Sequence, residues 1–331
     1  MTLMNRQVLL ASRPSGAVSE ANFRIVDAPL GALGDGEVLV RNHWLSLDPY
    51  MRGRMSDAKS YAPSVQLGKV MVGQTVGEVL ESRDARFGPG DTVLTPLGWQ
   101  LYGIAEANEI TTVDVRTPAS YYLGILGMPG ITAWIGLNEI AKASSAETVV
   151  VSAASGAVGS VAGQLAKIAG CRVVGIAGGR AKCDYVVDSL GFDACIDRKL
   201  DAWEQALEAA CPNGIDVDFE NVGGAVLDAV LRLMNTASRV VLCGLIAEYS
   251  AGAPYVHNLR PVLVKRIRMQ GMIVFDWKHR SAEAVDALRA HLDTGRIHYR
   301  ESIVEGLDNA PRGLIALLNG DNFGKQVVRL V

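Results

Sequence analysis

The stretch Val149-Val150-Val151-Ser152-Ala153-Ala154-Ser155-Gly156-Ala157-Val158-Gly159 runs from a β-branched core segment into small residues and then into a helical pattern. Three consecutive valines suit a strand buried on both faces, as in a parallel sheet. The residues that follow form a relaxed glycine fingerprint, with Ala154 at the first glycine position. Gly156 lets backbone approach a diphosphate, and Gly159 lets the helix pack close to the strand. The helix N-terminus adds free N–H groups and a partial positive charge. Ser155, Gly156, Ala157, Val158 and Gly159 are therefore read as a dinucleotide cradle. The alternative is a plain glycine-rich turn.

The next strand bears on which dinucleotide. An NAD site places Asp or Glu at its end, about 20 residues after the fingerprint, to hold the ribose 2′-hydroxyl. Here the text is Gly175-Ile176-Ala177-Gly178-Gly179-Arg180-Ala181-Lys182, with no acid. Gly178 and Gly179 allow close backbone approach, and Arg180 and Lys182 suit a 2′-phosphate. NADP(H) is the implied cofactor. Lys182 is favoured, because it lies in the first turn of a helix. The alternative leaves both as solvated surface charges.

Working outward, residues 123–299 alternate short strands with helices. Strands are expected at 148–152, 172–177, 194–197, 217–220, 238–243 and 267–275. Helices are expected at 158–169, 181–190, 201–210 and 227–234, and another begins at 262–265. Such alternation implies a doubly wound parallel sheet covered on both faces. Residues 1–122 are β-rich, with runs at 6–11, 37–45, 69–80 and 91–96 separated by Pro-Gly turn chemistry. Residues 300–331 return to short segments. The fold class is thus α/β, with a Rossmann domain (123–299) inserted into a smaller, β-rich, barrel-like substrate domain (1–122 plus 300–331).

The 331 residues suffice for two domains, and 49% hydrophobic content supports full cores. Net charge is −3 with Lys and Arg scattered, so no nucleic-acid footprint is expected. No apolar stretch reaches the roughly 20 residues that span a bilayer, and no signal core follows the N-terminus. Five cysteines (171, 183, 195, 211 and 243) form no CxxC pair. Each reads as a small buried hydrophobe in a reducing, cytoplasmic setting. No cysteine precedes Cys171, and the histidines at 43, 257, 279, 291 and 298 form no HxxxH pair. No metal site is expected.

The chain resembles the zinc-free medium-chain reductases of the prostaglandin reductase and NADP-dependent alkenal/one (double-bond) reductase family. The likeness rests on Leu45-Ser46-Leu47-Asp48-Pro49-Tyr50-Met51-Arg52, Gly127-Met128-Pro129-Gly130-Ile131-Thr132-Ala133 and Ala177-Gly178-Gly179 with Lys182. Phe219-Glu220-Asn221-Val222-Gly223-Gly224 and Gly320-Asp321-Asn322-Phe323-Gly324-Lys325 add to it. Zinc relatives carry Gly-His-Glu where Val72-Gly73-Gln74 stands here. The resemblance implies a GroES-like, partly open barrel beside the Rossmann domain. It implies NADPH-dependent reduction of the carbon–carbon double bond of α,β-unsaturated aldehydes and ketones. It further implies that Lys182 binds the 2′-phosphate and that Asn221 and Asn322 lie near the nicotinamide. Tyr249, in Ile246-Ala247-Glu248-Tyr249-Ser250, would sit over the reacting centre. Arg198 stands where the family often has a phosphate-contacting Tyr, and Ser250 where it often has Asn.

In the expected mechanism hydride reaches the substrate β-carbon, and the Tyr249 hydroxyl steadies the developing enolate without metal. The alternative for Tyr249 is a packing role. Tyr50 and Arg52 are candidates for the substrate cleft, while Arg52 could instead pair with Asp48. Met128 and Thr132 are placed near the cofactor, with a helix back-bond as the alternative for Thr132. Rival readings are an NADPH quinone reductase of the same architecture and a non-catalytic NADPH-binding protein. The apolar run 268–275 would be a sheet edge, which suggests a homodimer paired along it.

Overall fold

The N-terminal segment folds as antiparallel strands because its apolar residues alternate. β1 (Met4–Leu10) pairs with β2 (Phe23–Pro29). β3 (Glu37–Ser46) turns Val38 and Val40 fully inward between half-buried neighbours, the period of a one-sided strand. The five-residue helix α1 (Tyr50–Arg54) follows the Asp48-Pro49 turn. β4 (Thr75–Ser82), β5 (Thr92–Thr95), β6 (Tyr102–Glu106) and β7 (Thr111–Thr112) complete this part. β4 runs the length of β3 on one side, and β6 pairs its first half on the other. The strand expected at 69–80 begins only at Thr75. Residues before it cross β1 through a single bridge, Leu9 to Val70, and carry Met71 into the core.

The computed structural model describes residues 3–249 and 256–331; Ser250 and residues 251–255 lie outside the described residues. The chain divides into two units, Met1–Gly124 with Glu301–Val331, and Ile125–Arg300.

The second unit opens with α2 (Met128–Ile135), extended by a π-helical turn over Gly136–Ala141. Then come β8 (Thr148–Ser152), α3 (Gly159–Ile168), β9 (Arg172–Ala177), α4 (Arg180–Asp188), β10 (Ala194–Asp197) and α5 (Trp203–Ala210). β11 (Ile215–Glu220), α6 (Gly224–Leu233), β12 (Met234–Leu242), α7 (Arg260–Val264) and β13 (Arg268–Gly271) follow. The six strands form a parallel sheet in the order β10-β9-β8-β11-β12-β13. The strand order reverses between β8 and β11, which makes the switch point where α/β sheets hold ligands.

The strand expected at 267–275 ends at Gly271. Val274–Arg280 coils as a 3₁₀ segment leading into α8 (Ser281–Asp293). Arg280 explains the departure: it pairs with Glu139 at 2.8 Å and lies 5.3 Å over the Trp134 ring. These contacts hold the segment against α2 and the π turn, so the apolar run cannot continue along the sheet edge.

The chain then returns to the first unit. β14 (Glu301–Glu305) and β15 (Lys325–Arg329) add to its sheet, with the helix α9 (Ala310–Asn319) between them in sequence, and β15 pairs antiparallel with the end of β3. Val8, Leu10, Leu45, Met51, Met71, Trp99, Leu314 and Val328 share one core, so both parts of the chain build it.

Gly163, inside α3, tests how tightly the second unit is packed. A Cβ there would lie 1.8 Å from Phe192 Cζ. Helix propensity alone favours Ala by about 1 kcal/mol, but overpacking a core costs about 1–3 kcal/mol. Gly163→Ala is expected to lower the urea midpoint of unfolding; a raised midpoint would show that Phe192 moves aside freely.

Candidate functional site

β8 is buried throughout and delivers the turn Ala153–Gly156 at its C-terminal end. Ala153 adopts φ +48°, and the Gly156 N–H donates to the Ala153 carbonyl at 2.9 Å. A Cβ on Gly159 would sit 2.5 Å from that carbonyl oxygen, so only glycine lets α3 start this close. Around Gly156 a Cβ would meet nothing but the Ala153 oxygen, which leaves room for a ligand to reach backbone. The methyl of Ala154 fits because its neighbour strand has no side chain opposite: a Cβ on Gly175 would lie 2.8 Å from it. The substitution at the first glycine position is thus compensated across the sheet.

The 2′-phosphate candidates gather beyond β9. Gly179 takes φ +103° at the start of α4. Lys182 lies half-buried in the first turn. Arg180 is exposed and sits 3.6 Å from Asp184 on the same helix, which draws it along α4. A Cβ on Gly178 would lie 3.5 Å from Lys199 Cε and 3.7 Å from Arg198 Nε. Arg198 therefore stands beside the glycine pair, and so does Lys199, which sequence reasoning passed over. The signal was present in Asp197-Arg198-Lys199, two cations directly after the third strand. Asp197 orders the loop: its Oδ1 accepts from the Gly179 N–H at 2.7 Å and the Lys199 N–H at 3.0 Å. Backbone donors thus engage Asp197 Oδ1 beside the two cations.

A third group closes the ends of β8 and β11. Glu220 is fully buried; its Oε1 accepts from Ser152 Oγ at 2.5 Å, the Val222 N–H at 2.5 Å and the Gly223 N–H at 3.0 Å. The Asn221 N–H donates to Ser152 Oγ at 2.7 Å, and its Nδ2 donates to the Ser152 carbonyl at 2.8 Å. With its amide nitrogen so engaged, Asn221 offers Oδ1 as an acceptor. Tyr249 ends the short 3₁₀ turn Ile246–Tyr249 after β12 and is half-buried. Met128 and Thr132 occupy the first two turns of α2, both half-buried.

In the first unit the Asp48-Pro49-Tyr50 turn is anchored by a residue not singled out from the sequence. Lys325, buried on β15, donates to Asp48 Oδ1 at 2.7 Å and to the Leu47 carbonyl at 2.6 Å. Ser46 Oγ donates to the other Asp48 oxygen. The ion pair considered between Arg52 and Asp48 is not formed. Arg52 Nη2 donates instead to the Gly16 carbonyl at 2.9 Å, because Lys325 already occupies the carboxylate. Burial, followed by the Asp48 charge, pushes the Tyr50 phenol well above its ordinary range, so it is a neutral donor. Asn322 Nδ2 donates to the Gly324 carbonyl at 2.8 Å, shaping the loop before Lys325.

Residues 6–113 match the family model described as the N-terminal domain of oxidoreductase, and residues 157–290 the one described as zinc-binding dehydrogenase. The NADPH-dependent curcumin reductase of Escherichia coli (strain K12) is 47% identical over 98% of this chain and 97% of that protein. The chain belongs to the zinc-free medium-chain dehydrogenase/reductase family. The 2-alkenal reductase (NADP(+)-dependent) of Nicotiana tabacum is 42% identical over 98% of this chain and 97% of that protein. The crystal structure of CurA in complex with NADPH from Vibrio vulnificus superposes with a TM-score of 0.95. It is 49% identical and covers 98% of this chain and 99% of that one. Family members share the GroES-like and Rossmann-like halves seen here. Among the described residues no group of three or more His, Cys, Asp or Glu is arranged to hold a metal ion.

Asp218, two residues before Glu220 on β11, has both carboxyl oxygens buried without a hydrogen-bond partner. Burial, and then the nearby Glu220, holds its pKa well above the ordinary 3.8. A raised acid binds its proton more tightly when folded. Its stabilising contribution is complete below the unfolded pKa and is lost as pH rises toward the folded one, by up to about 1.4 kcal/mol per pH unit. Asp218→Asn removes that loss. The gap in thermal midpoint between variant and parent is expected to widen in the variant's favour from pH 4 to pH 8. A constant gap would mean Asp218 is ionised in the folded protein.

Proposed function

We propose that this protein uses NADPH to reduce the carbon–carbon double bond of α,β-unsaturated aldehydes and ketones. The observation that carries the cofactor is that Arg198 and Lys199 stand beside Gly178, with Lys182 in the first turn of α4 and Asp197 Oδ1 bonded to backbone. The reaction class is supported by relatives named as curcumin and 2-alkenal reductases that align along nearly the whole chain.

When bound, NADPH supplies the hydride that the substrate β-carbon accepts. The turn from Ser155 to Gly159 and the first turn of α3 hold the diphosphate through backbone N–H groups. Lys182, Arg198 and Lys199 hold the 2′-phosphate, and Asn221 orients the nicotinamide end through its side-chain oxygen. Tyr249 donates its hydroxyl proton in a hydrogen bond to the carbonyl oxygen as negative charge develops there, the role a metal fills in zinc relatives. Tyr50 is assigned to substrate contact and Asn322 to the cofactor. Solvent supplies the proton to the α-carbon.

Cofactor oxidation with NADPH and NADH against enals, enones and quinones tests the reading. NADPH consumption dependent on an enal or enone supports it. Turnover of quinones alone would make the protein a quinone reductase, and tight NADPH binding with no turnover would make it a binder. Lys182→Ala is expected to raise KM for NADPH about tenfold or more, the worth of a charge-assisted contact, with KM for NADH unchanged. Tyr249→Phe is expected to lower kcat by an amount equivalent to about 2.7–4 kcal/mol at unaltered NADPH affinity; full turnover would remove Tyr249 from the mechanism.

We place the protein in the cytoplasm, as a homodimer joined along β13. That strand is the sheet edge, flanked by exposed Leu263, Val264 and Phe275. A monomer mass by light scattering at micromolar concentration would overturn the dimer.

A further inference from the structure

We propose that Glu220 is a positioning residue that sets the nicotinamide contact, Asn221, and the oxyanion donor, Tyr249, at a fixed spacing by holding the one short segment on which both depend. The inference rests on the roles given to those two residues above. Glu220 is fully buried, and its Oε1 accepts from the Ser152 hydroxyl and from the Val222 and Gly223 N–H groups. A hydroxyl has one proton to donate. Because Glu220 takes it, Ser152 Oγ is left to accept from the Asn221 N–H at 2.7 Å. One side chain thereby sets the N–H directions of the successive residues Asn221, Val222 and Gly223.

The carbonyls of the same segment hold the loop after β12. The Glu220 carbonyl accepts from the Cys243 N–H at 2.9 Å and the Gly244 N–H at 3.1 Å. The Asn221 carbonyl accepts from the Ile246 N–H at 3.2 Å, and the Val222 carbonyl from the Ala247 N–H at 3.0 Å. Ile246 and Ala247 open the 3₁₀ turn that ends in Tyr249. Two glycines let the loops lie this close. A Cβ on Gly244 would sit 3.3 Å from the Asn221 carbonyl oxygen. A Cβ on Gly223 would sit 2.9 Å from Leu245 Cδ2, and Gly223 also takes φ +78°.

The spacing matters because both residues serve one substrate. In an enone the β-carbon and the carbonyl oxygen are held at a fixed distance by the conjugated framework. The group that steadies the nicotinamide and the group that meets the oxygen must match that distance. A displacement of about 1 Å can cost about a hundredfold in rate. Asn221 Nδ2 is already tied to the Ser152 carbonyl at 2.8 Å, so its side chain turns little on this mount. Tyr249 reaches the same mount through the Ile246 and Ala247 N–H groups.

A purely structural role for Glu220 has a different signature. Its loss would lower stability, and any loss of rate would multiply with that of Tyr249→Phe. A shared mount gives overlapping losses instead: once the phenol is gone, misplacing its loop costs less.

The test compares three variants of the full-length protein. Glu220→Leu removes the acceptor, Glu220→Gln keeps an oxygen there, and Gly244→Ala wedges the loop against Asn221 with Glu220 intact. Hydrogen–deuterium exchange reads the loop without turnover. Glu220→Leu is expected to speed exchange at Ile246 and Ala247, with Glu220→Gln between it and the parent. With NADPH and an enone, Glu220→Leu is expected to lower kcat about 10- to 100-fold. Binding of adenosine 2′,5′-bisphosphate, which reaches only the phosphate end, should not change. Gly244→Ala is expected to lower kcat by less, and by less still in a Tyr249→Phe background; it decides the matter if Glu220→Leu does not fold. Parent-like exchange in Glu220→Leu, full kcat in Gly244→Ala, or a loss of rate indifferent to Tyr249 would overturn the proposal. A parent that leaves enones unreduced would sink the functional reading instead, and the exchange rates still report on the mount.

Discussion

A carboxylate inside a parallel sheet is costly unless its oxygens are met by donors. Glu220 turns that cost into a joint. Its single oxygen Oε1 gathers the Ser152 hydroxyl from the end of one central strand and two backbone N–H groups, of Val222 and Gly223, from the turn before α6. Ser152 in turn receives the Asn221 N–H. Three backbone segments are locked to one point where the strand order reverses, beside the turn that follows β8. Networks of this kind polarise one another and tolerate no missing member. The neighbouring Asp218 has no hydrogen-bond partner, and burial and then the Glu220 charge push it toward its protonated form.

Much of this was legible because it is local. The valines at 149–151 and the small residues after them announce a strand, a tight turn and a close-packed helix, and each stands there. The absence of an acid after β9 was readable too, since it concerns residue type at a fixed distance. What escaped reading depends on partners far along the chain. Nothing near Asp48 names Lys325 as its partner; the nearer cation, Arg52, was the natural guess. The apolar text at 272–275 reads as strand until Arg280 is seen to bind Glu139 and Trp134. Ser250, which departs from the family pattern, falls outside the described residues.

The glycine fingerprint shows how a rule can be relaxed without loss. Its first position exists to avoid a side chain in a tight turn, yet Ala154 stands there, buried. The room comes from Gly175 on the adjacent strand. The constraint concerns volume at one place in space, and either strand can supply it. That same gap in the sheet surface is what leaves space for the sulfur of Cys195.

The anchoring of Asp48 by Lys325 has a consequence for how the molecule comes into being. A ribosome releases the chain from its N-terminus, and units fold as they emerge. The first 124 residues are made early, yet their sheet lacks β14 and β15, and the buried Asp48 carboxylate lacks its counter-charge. Those pieces are synthesised only after the inserted unit. The inserted unit, contiguous in sequence, has all its strands in hand sooner. Vectorial synthesis thus completes the strand set of the inserted unit before that of the unit flanking it in sequence.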